Sequence, residues 1–527
     1  MTVAEHTHDV LNQAQPLVGY NAFEADLALN EAIEREGGGW GVDRLRELGE
    51  LAGSEEALEH SRRSERNEPR LLTHDRYGNR IDEVELDPSW HWLLRASIER
   101  EIHALPWRDP VAGAHVVRAG LFVLMSQVGA GVMCPVSMTY SAIPALRKEP
   151  AVADEWEPRL TKPDYDAGAL CGMAMTEKQG GSDVRANTTR AIPAGDGVYE
   201  LVGHKWFCSH PMCDVFLVLA QAPGGLSCFV VEHGPGFEIQ RLKDKLGTRD
   251  LPSSEVEFRS LPARLVGEEG RGVPTIIEMV GHTRLDCMLG TVAGMRRAVS
   301  EAVNHARHRS AFGALLAEQP AMQNVLSDLA IEYEASMAAV MRVARSYDEN
   351  DAPFRRFGTA VMKYWICKRG APLAAEALEC LGGNGYVEES GMPRIYRDIP
   401  LNSIWEGSGN VMALDVLRAM IKEPEGLPAF LAECELAQGA DARLDRHLAK
   451  VRGDLGALQG NDDTQWLARR LVEDLALTLQ AGLLLRHAPP EVADAFCASR
   501  LGDGGRAFGT LPAGVDAGAI VERALAV

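Results

Sequence analysis

Positive charge is the minority charge in this chain: 54 Lys and Arg stand against 75 Asp and Glu, a net charge of −21. An acidic surface opposes non-specific attraction to nucleic acid or anionic membrane, leaving only a local basic patch as a route to either. Long apolar runs are missing as well. The most apolar stretch, Val116 to Met133, is interrupted by Arg118, Ser126 and Gln127, and reads as a buried helix rather than a membrane span. Met1 to Asp9 has neither a basic n-region nor an apolar h-region, so no signal peptide is expected. None of the ten cysteines belongs to a Cys-x-x-Cys pair, which predicts reduced, buried thiols in a cytoplasmic protein. His204, Cys208, His210 and Cys213 lie close together, but their spacing matches no structural zinc pattern. They also interrupt a strand-like run whose side chains alternate between faces, so no metal is expected. There are no internal repeats and no low-complexity segments.

What is present is enough chain for two to four domains, 527 residues with ample apolar content. Helical periodicity covers Glu24–Glu34, Val42–Leu51 and the apolar run Ala112 to Thr139, with prolines at 150 and 163 ending that region. From about 168 to 270 the period changes to short runs rich in Val, Phe and Leu (Val198–Val202, Asp214–Gln221, Gly225–Glu232, Ser254–Phe258), bounded by Pro-Gly turns. Helical patterns return over Thr275–Arg309, Pro320–Tyr347, Phe354–Leu381 and Asn410–Ile421. Pro424 and Gly426 mark a boundary before further amphipathic stretches, Leu427–Leu455 and Thr464–His487. The expected organisation is α+β with segregated layers: an N-terminal extension (1–50), an N-terminal helical domain (51–167), a middle antiparallel β domain (168–273), a C-terminal helical domain (274–425) and an extra helical C-terminal domain (426–527).

Four segments carry candidate chemistry. In Asn402-Ser403-Ile404-Trp405-Glu406-Gly407-Ser408-Gly409-Asn410 a single carboxylate sits in an apolar, aromatic setting ahead of two glycines. Such a Glu is a candidate general base with a raised pKa, and the glycines let backbone approach a ligand. A helix start capped by Ser408 or Asn410 explains the same residues. Met173 to Val184 is a strand running into a loop with two glycines and several hydroxyls and amides, suited to a phosphorylated ligand. It lacks the Gly-x-Gly-x-x-Gly spacing of a dinucleotide-binding unit, as does Gly382-Gly383-Asn384-Gly385, which follows a helix and has the form of an ordinary C-cap. Arg309-Ser310-Ala311-Phe312-Gly313 offers a forked cation and an aromatic face, suited to a pyrophosphate and a ring or to a helix C-terminus.

Together and in order, these segments resemble the acyl-CoA dehydrogenase superfamily of FAD enzymes over residues 50 to 425. The motifs are Thr176-Glu177 with Ser182-Asp183, the strand Gly203 to Ser209, Arg-x-x-Phe-Gly at Arg309, Leu-Gly-Gly-x-Gly at Leu381 and Glu-Gly-Ser at Glu406. Nearly the whole chain, with Lys178-Gln179 in the flavin loop, is similar to the AidB-type branch, the adaptive-response flavoproteins linked to alkylating agents. The resemblance implies that Met173, Met175, Thr176 and Ser182 hold the flavin ring and pyrophosphate, that Phe207 packs on the isoalloxazine, and that Ser209 bonds near N5 and O4. It implies that Arg309 and Phe312 reach the FAD of a neighbouring subunit in a homotetramer. Gly382, Gly383, Gly407, Ser408 and Asn410 would line the adenosine end. The family's Gln after Arg-x-x-Phe-Gly falls out of register at Gln319 and is not carried over.

The resemblance also implies a reaction: Glu406 removes the α-proton of an acyl-CoA or similar thioester while a hydride passes to flavin N5, and a flavoprotein accepts the electrons. The base position used by some relatives falls on Thr283, before Arg284, and a threonine cannot serve. Arg418 matches a family arginine. An alternative stays open, an alkylation-stress flavoprotein that binds DNA or inactivates alkylating agents, its dehydrogenase activity vestigial. In that branch DNA binding is attached to the C-terminal helices, where acids outnumber cations from Leu427 onward. Only weak duplex binding, through Arg443–Arg452 with Arg469 and Arg470, is expected there.

Overall fold

The computed structural model describes residues 8–195, 197–349, 351–457, 464–502 and 504–527. Met1 to Thr7, where no signal peptide is expected, and Asp462, Asp463 and Asp503 of the acidic count lie outside the described residues.

Helices form the first layer, including Leu27–Arg35, Val42–Ala52, Glu55–Arg66 and Pro88–Glu99. Their starts follow capping chemistry: Asp26, Ser54 and Asp87 each accept a backbone N–H of the first turn. The sequence hides a hairpin within this layer, β1 (Arg70–His74) and β2 (Arg80–Glu85). Asp75 makes its turn by accepting the Tyr77 and Asn79 amides at 2.8 and 2.9 Å. The apolar run expected as one helix is two, Ala114–Ser126 and Met133–Leu146. The break falls at Gly129 and Gly131, and a Cβ on Gly131 would meet Asp250 Oδ1 at 2.1 Å, so the gap admits a loop of the next layer.

That layer is a seven-stranded sheet of β3 (Cys171–Ala174), β4 (Arg190–Gly195), β5 (Val198–Ser209), β6 (Val215–Ala222), β7 (Gly225–Glu232), β8 (Phe237–Leu242) and β9 (Ser253–Val266). It is not wholly antiparallel as expected: β3 runs parallel to β6, with Cys171 opposite Val215. Strand β6 pairs with both β4 and β7, so β4, β5, β9, β7 and β6 form a closed circuit. Strand β5 is longer than its sequence run because Gly203 (φ +152°) carries it through a bulge. A Cβ there would lie 2.6 Å from Thr189 Cα, so only glycine fits.

Three long helices follow: Gly272–His308, Pro320–Asp348 and Ala352–Cys380. Gly272–His308 is the spine, packing against β7 and against both halves of the broken N-terminal run. Arg118, on Ala114–Ser126, is fully buried between the rings of Phe122 and Tyr140 and forks onto Asp286 of the spine. A bidentate pair of this kind fixes the angle between helices as well as their contact. The shorter helix Gly409–Lys422 packs on Ala352–Cys380. The expected stretch Leu427–Leu455 divides into Gly426–Glu435 and Ala442–Ala457, and Thr464–His487 lies across both. Among the described residues no helix is long and apolar enough to cross a membrane.

The loop after β3 is tied to β5 by a buried ion pair. Lys205 Nζ donates to Glu177 Oε1 and to Leu219 O, both at 2.8 Å, and neither charged side chain is exposed. Burial pushes the Glu177 carboxyl up, but Lys205 and the donors of Thr188 and Thr189 bring it down to about 2. A carboxyl depressed in the folded state stabilises above its unfolded pKa, about 4.3, and that contribution is lost as pH falls toward 2. Replacing Lys205 with Met strands the charge, and urea unfolding at pH 7 should show a loss of about 3–5 kcal/mol. The same variant with Glu177→Gln should regain part of that loss.

Candidate active site

The three layers enclose one large cavity of about 1640 Å³. A single small-molecule site is usually about 300–1,000 Å³, so this one has room for two ligands side by side. Its β wall is Met173, Met175, Thr176 and Ser182 from β3 and its loop, with Phe207 and Ser209 from the end of β5. Its helical wall is Thr283, Arg284, Asp286 and Cys287 of the spine, with Glu406, Gly407 and Ser408 from the turn ahead of Gly409–Lys422. Arg418, one face of that helix further on, also borders it.

Nine residues singled out in the sequence therefore share the cavity: Met173, Met175, Thr176, Ser182, Phe207, Ser209, Glu406, Gly407 and Ser408. Five do not line it: Arg309, Phe312, Gly382, Gly383 and Asn410. Arg309 hydrogen bonds to the Asn12 carbonyl. Phe312 is fully exposed at the tip of a two-residue-strand hairpin, with φ +55°. Gly382 and Gly383 lie on an exposed 3-10 turn beyond Cys380, and Asn410 is exposed in the first turn of its helix. Gln319, out of register in the sequence, donates to the Ala311 carbonyl at 2.9 Å and braces the same hairpin.

Glu406 is a strained residue of the site, as is Thr248 (φ +47°) elsewhere on the cavity wall. Glu406 has φ +57°, and Gly407 after it has φ +114°. A Cβ on Gly407 would meet Met412 Sδ at 2.8 Å, so the second position requires glycine. Three successive carbonyls of this turn are held by cations. Lys363 Nζ donates to Trp405 O at 2.8 Å and to Gly407 O at 2.5 Å, and Arg284 Nε donates to Glu406 O at 3.0 Å. Arg284 is itself held by Asp415 at 2.9 Å, which also pairs with Arg356. Burial would raise the Asp415 carboxyl, but these two guanidinium groups keep it below its ordinary value.

Glu406 Oε2 is buried and, among the described residues, accepts no hydrogen bond. Burial pushes the Glu406 carboxyl above its ordinary value, against the pull of Arg284, Lys363 and the Thr283 hydroxyl. A carboxylate with a free oxygen, facing a cavity and reluctant to stay charged, has the properties of a general base. Thr283, at the position where a base was ruled out, instead contacts Glu406. Ser408 occupies the N-cap position of Gly409–Lys422, yet its side chain makes no capping bond. Lys363 went unnoticed in the sequence. Its signal was a lone cation inside the apolar run Ala360 to Ile366.

The opposite wall suits a flat, polar, phosphorylated ligand. The Phe207 ring is 48% exposed, and Lys243 lies over both Trp206 and Phe207, 3.3 and 4.7 Å from their ring centres. Glu177 takes the Thr188 and Thr189 amides and Lys205, so the loop is braced from within. The hydroxyls of Thr176 and Ser182, like that of Ser408 on the helical wall, have no partner among the described residues and remain available to a ligand. An aromatic face beside unengaged hydroxyls and a Gly-rich loop fits a flavin with its phosphates. The four residues weighed as a zinc cluster do other work: His204 accepts the Lys178 amide at 3.0 Å, His210 stacks on Trp90, and Cys208 and Cys213 are buried free thiols.

Comparison with known proteins gives the same picture. Residues 12–167 match the family described as adaptive response protein AidB N-terminal domain. Residues 172–261 match the acyl-CoA dehydrogenase middle domain, and residues 270–421 the acyl-CoA dehydrogenase C-terminal domain. AidB of Escherichia coli, named among the acyl-CoA dehydrogenases, is 44% identical over 513 residues, covering 93% of this chain and 94% of that one. Acyl-CoA dehydrogenase family member 11 of Caenorhabditis elegans is 31% identical, covering 84% of this chain and 80% of its own. The solved structure of Caenorhabditis elegans ACDH-11 in complex with C11-CoA superposes with a TM-score of 0.85 at 26% identity, covering 99% of this chain and 95% of that one. The chain belongs to the acyl-CoA dehydrogenase family, in the branch that carries an AidB-type N-terminal domain.

Proposed function

We propose that the protein is an FAD-dependent acyl-CoA dehydrogenase-type oxidoreductase whose base is Glu406. The observation that carries this reading is the unpartnered, buried Oε2 of Glu406 in a cavity whose other wall offers Phe207 and free hydroxyls. FAD, when bound, supplies the two-electron acceptor for the hydride leaving the β-carbon. Met173, Met175, Thr176 and Ser182 would hold its ring and phosphates, and Phe207 and Ser209, at the end of β5, would contact its ring. Gly407 and Ser408 lie at the ligand-facing side of the turn. Glu406 accepts the α-proton on Oε2 as the carbon–carbon double bond forms, so proton and hydride leave neighbouring carbons and the charge balances. The left-handed turn keeps this oxygen at the cavity wall, where burial raises its attraction for a proton. An acyl-CoA thioester is the substrate class, supported by the C11-CoA complex of ACDH-11, with a flavoprotein as electron acceptor.

A homotetramer in the cytoplasm is part of this reading. Phe312 stands fully exposed and, with Arg309, Gly382, Gly383 and Asn410, lies off the cavity, an arrangement that suits contact with a neighbouring subunit's FAD. Family matches over 12–167, 172–261 and 270–421 support divisions near 167, 273 and 425, while the first match runs unbroken across 50. The stress-response reading is favoured by one observation, the AidB-type N-terminal domain. Its DNA-binding arm has less support. Arg443 is paired with Asp441 and Asp494, Lys450 with Asp454 and Asp474, and Arg452 with Glu435. Arg446, Arg469 and Arg470 are exposed and carry no ion pair among the described residues.

Glu406→Gln should retain FAD and fold while losing flavin bleaching across a panel of short- to long-chain acyl-CoAs, by roughly a hundredfold or more in rate. Bleaching that survives in this variant means another group takes the proton. In the wild type the base works only when ionised, so the reduction rate should rise with pH, with its midpoint above the ordinary carboxylate value. If no acyl-CoA bleaches the wild type, the stress-response reading moves ahead.

Duplex DNA should bind weakly at physiological salt, without sequence preference, and steeply less as salt rises. Charge reversal of Arg469 and Arg470 together should flatten that salt slope and leave FAD content unchanged. Tight duplex binding at physiological salt is the outcome that contradicts this weighting.

A further inference from the structure

One lysine interrupts the apolar middle of the helix Ala352–Cys380, within Ala360-Val361-Met362-Lys363-Tyr364-Trp365-Ile366. Lys363 is 1% exposed. Among the described residues its ammonium has no carboxylate at ion-pair distance, and its hydrogen bonds go to two backbone carbonyls, Trp405 O and Gly407 O. Burying a cation away from a counter-ion is costly, and a methionine would fill the same space without that cost. The cation must therefore answer to something a methionine cannot do. The two carbonyls it holds flank Glu406, and the carbonyl between them is taken by Arg284 from the facing helix. Glu406 and Gly407 both have positive φ. A glutamate does not adopt that backbone unless its surroundings impose it.

We propose that Lys363 is a positioning residue for Glu406, fixing through the Trp405 and Gly407 carbonyls the left-handed turn that directs the carboxylate into the cavity. The inference rests on the reading of Glu406 as the base. The ammonium has a second effect through space: its charge, with that of Arg284, opposes the burial that would protonate Glu406. The groups facing the carboxyl from each packed element are few. Thr283, Arg284 and Cys287 come from Gly272–His308, Lys363 from Ala352–Cys380 and Cys134 from Met133–Leu146. Both thiols are pushed up by burial, Cys134 to about 12, and stay neutral. Lys363 and Arg284 are thus the two charges that keep the base ionisable.

The test uses the full-length holoprotein and reads Glu406 directly. The infrared carbonyl band of protonated Glu406, assigned by its absence in Glu406→Gln, is titrated in wild type, Lys363→Met and Lys363→Arg. Lys363→Met should raise the midpoint by about one pH unit or more, because an opposite charge has left the carboxylate. Lys363→Arg keeps a charge and two donors and should hold the midpoint within a few tenths of a unit. Acyl-CoA-driven flavin reduction at pH 7 should fall about tenfold or more in Lys363→Met, in kcat rather than KM, and recover as pH rises. A folded, FAD-containing Lys363→Met with an unmoved midpoint overturns the inference. If that variant does not fold, Lys363→Gln, neutral but still a donor, must show the same shift. If neither neutral variant folds, Lys363→Arg decides, an unchanged midpoint supporting the inference and a shifted one overturning it. A Glu406→Gln variant that still reduces its flavin would remove the base assignment without touching the titration. An unmoved midpoint in Lys363→Met removes only the role of Lys363.

Discussion

A carboxylate oxygen without a hydrogen bond among the described residues, held on a left-handed residue at the wall of the cavity, is the constraint around which the helical half of the molecule is arranged. Left alone, the turn would relax, since a non-glycine residue with positive φ is disfavoured by about 1–3 kcal/mol in such strained settings. It is held because two helices converge beneath it with a cation each, Lys363 and Arg284. Arg284 needs its own anchor, and finds it in Asp415, which Arg356 shares. The spine helix must then be fixed against the N-terminal layer, and Arg118 forked onto Asp286 does this three residues beyond Thr283. Arg284 and Arg118 are each answered by a carboxylate and Lys363 by two carbonyls, while Glu406 Oε2 has no hydrogen-bond partner among the described residues.

The sheet side obeys the same logic with the opposite outcome. Glu177 lies in the motif that marks the flavin loop, yet it points inward and is saturated by Lys205, Gln179 and the amides of Thr188 and Thr189. Because the loop's internal demands are met by this carboxylate, the Thr176 and Ser182 hydroxyls are left without partners among the described residues. A residue conspicuous in a motif is thus structural, and its quieter neighbours face the cavity. One wall of the cavity presents unengaged donors, the other an unengaged acceptor, and the space between them suits a ring and a thioester.

Most of this was legible from the sequence, for identifiable reasons. Residues that depend on local backbone, such as the Gly-rich loop, the Glu-Gly-Ser turn and the aromatic strand end, came together in one cavity as the motifs implied. Segment type was legible wherever the periodic run was long, as in Gly272–His308 and Pro320–Asp348. Breaks were harder. The hairpin Arg70–Glu85 has strands of five and six residues, too short for a period to stand out. The division between Ser126 and Met133 depends on where Asp250 of another layer must fit, which no local pattern encodes. Lys363 was missed because its partners are carbonyls some forty residues away, and carbonyls have no sequence signature.

The chain's two ends show where its surplus charge goes. Asn12 pairs with both backbone groups of Ser310, Gln13 takes the Asn384 amide, and Gln13 through Val18 form part of the cavity wall. At the other end Arg523 ties Glu334 of Pro320–Asp348 to Glu31 of the first helix, and Arg500 forks onto Asp328 and Glu332. Of the acids beyond Leu427, Glu433 binds Arg342 and Arg486, Glu435 binds Arg452, and Asp441 and Asp494 bind Arg443, while Arg500 and Arg523 tie the C-terminal helices to acids of the earlier helices. A polyanion could recruit those arginines only by displacing carboxylates already within hydrogen-bonding distance. The same ion pairs that join the extra helices to the catalytic layers thus argue for a region whose first role is to hold the site together.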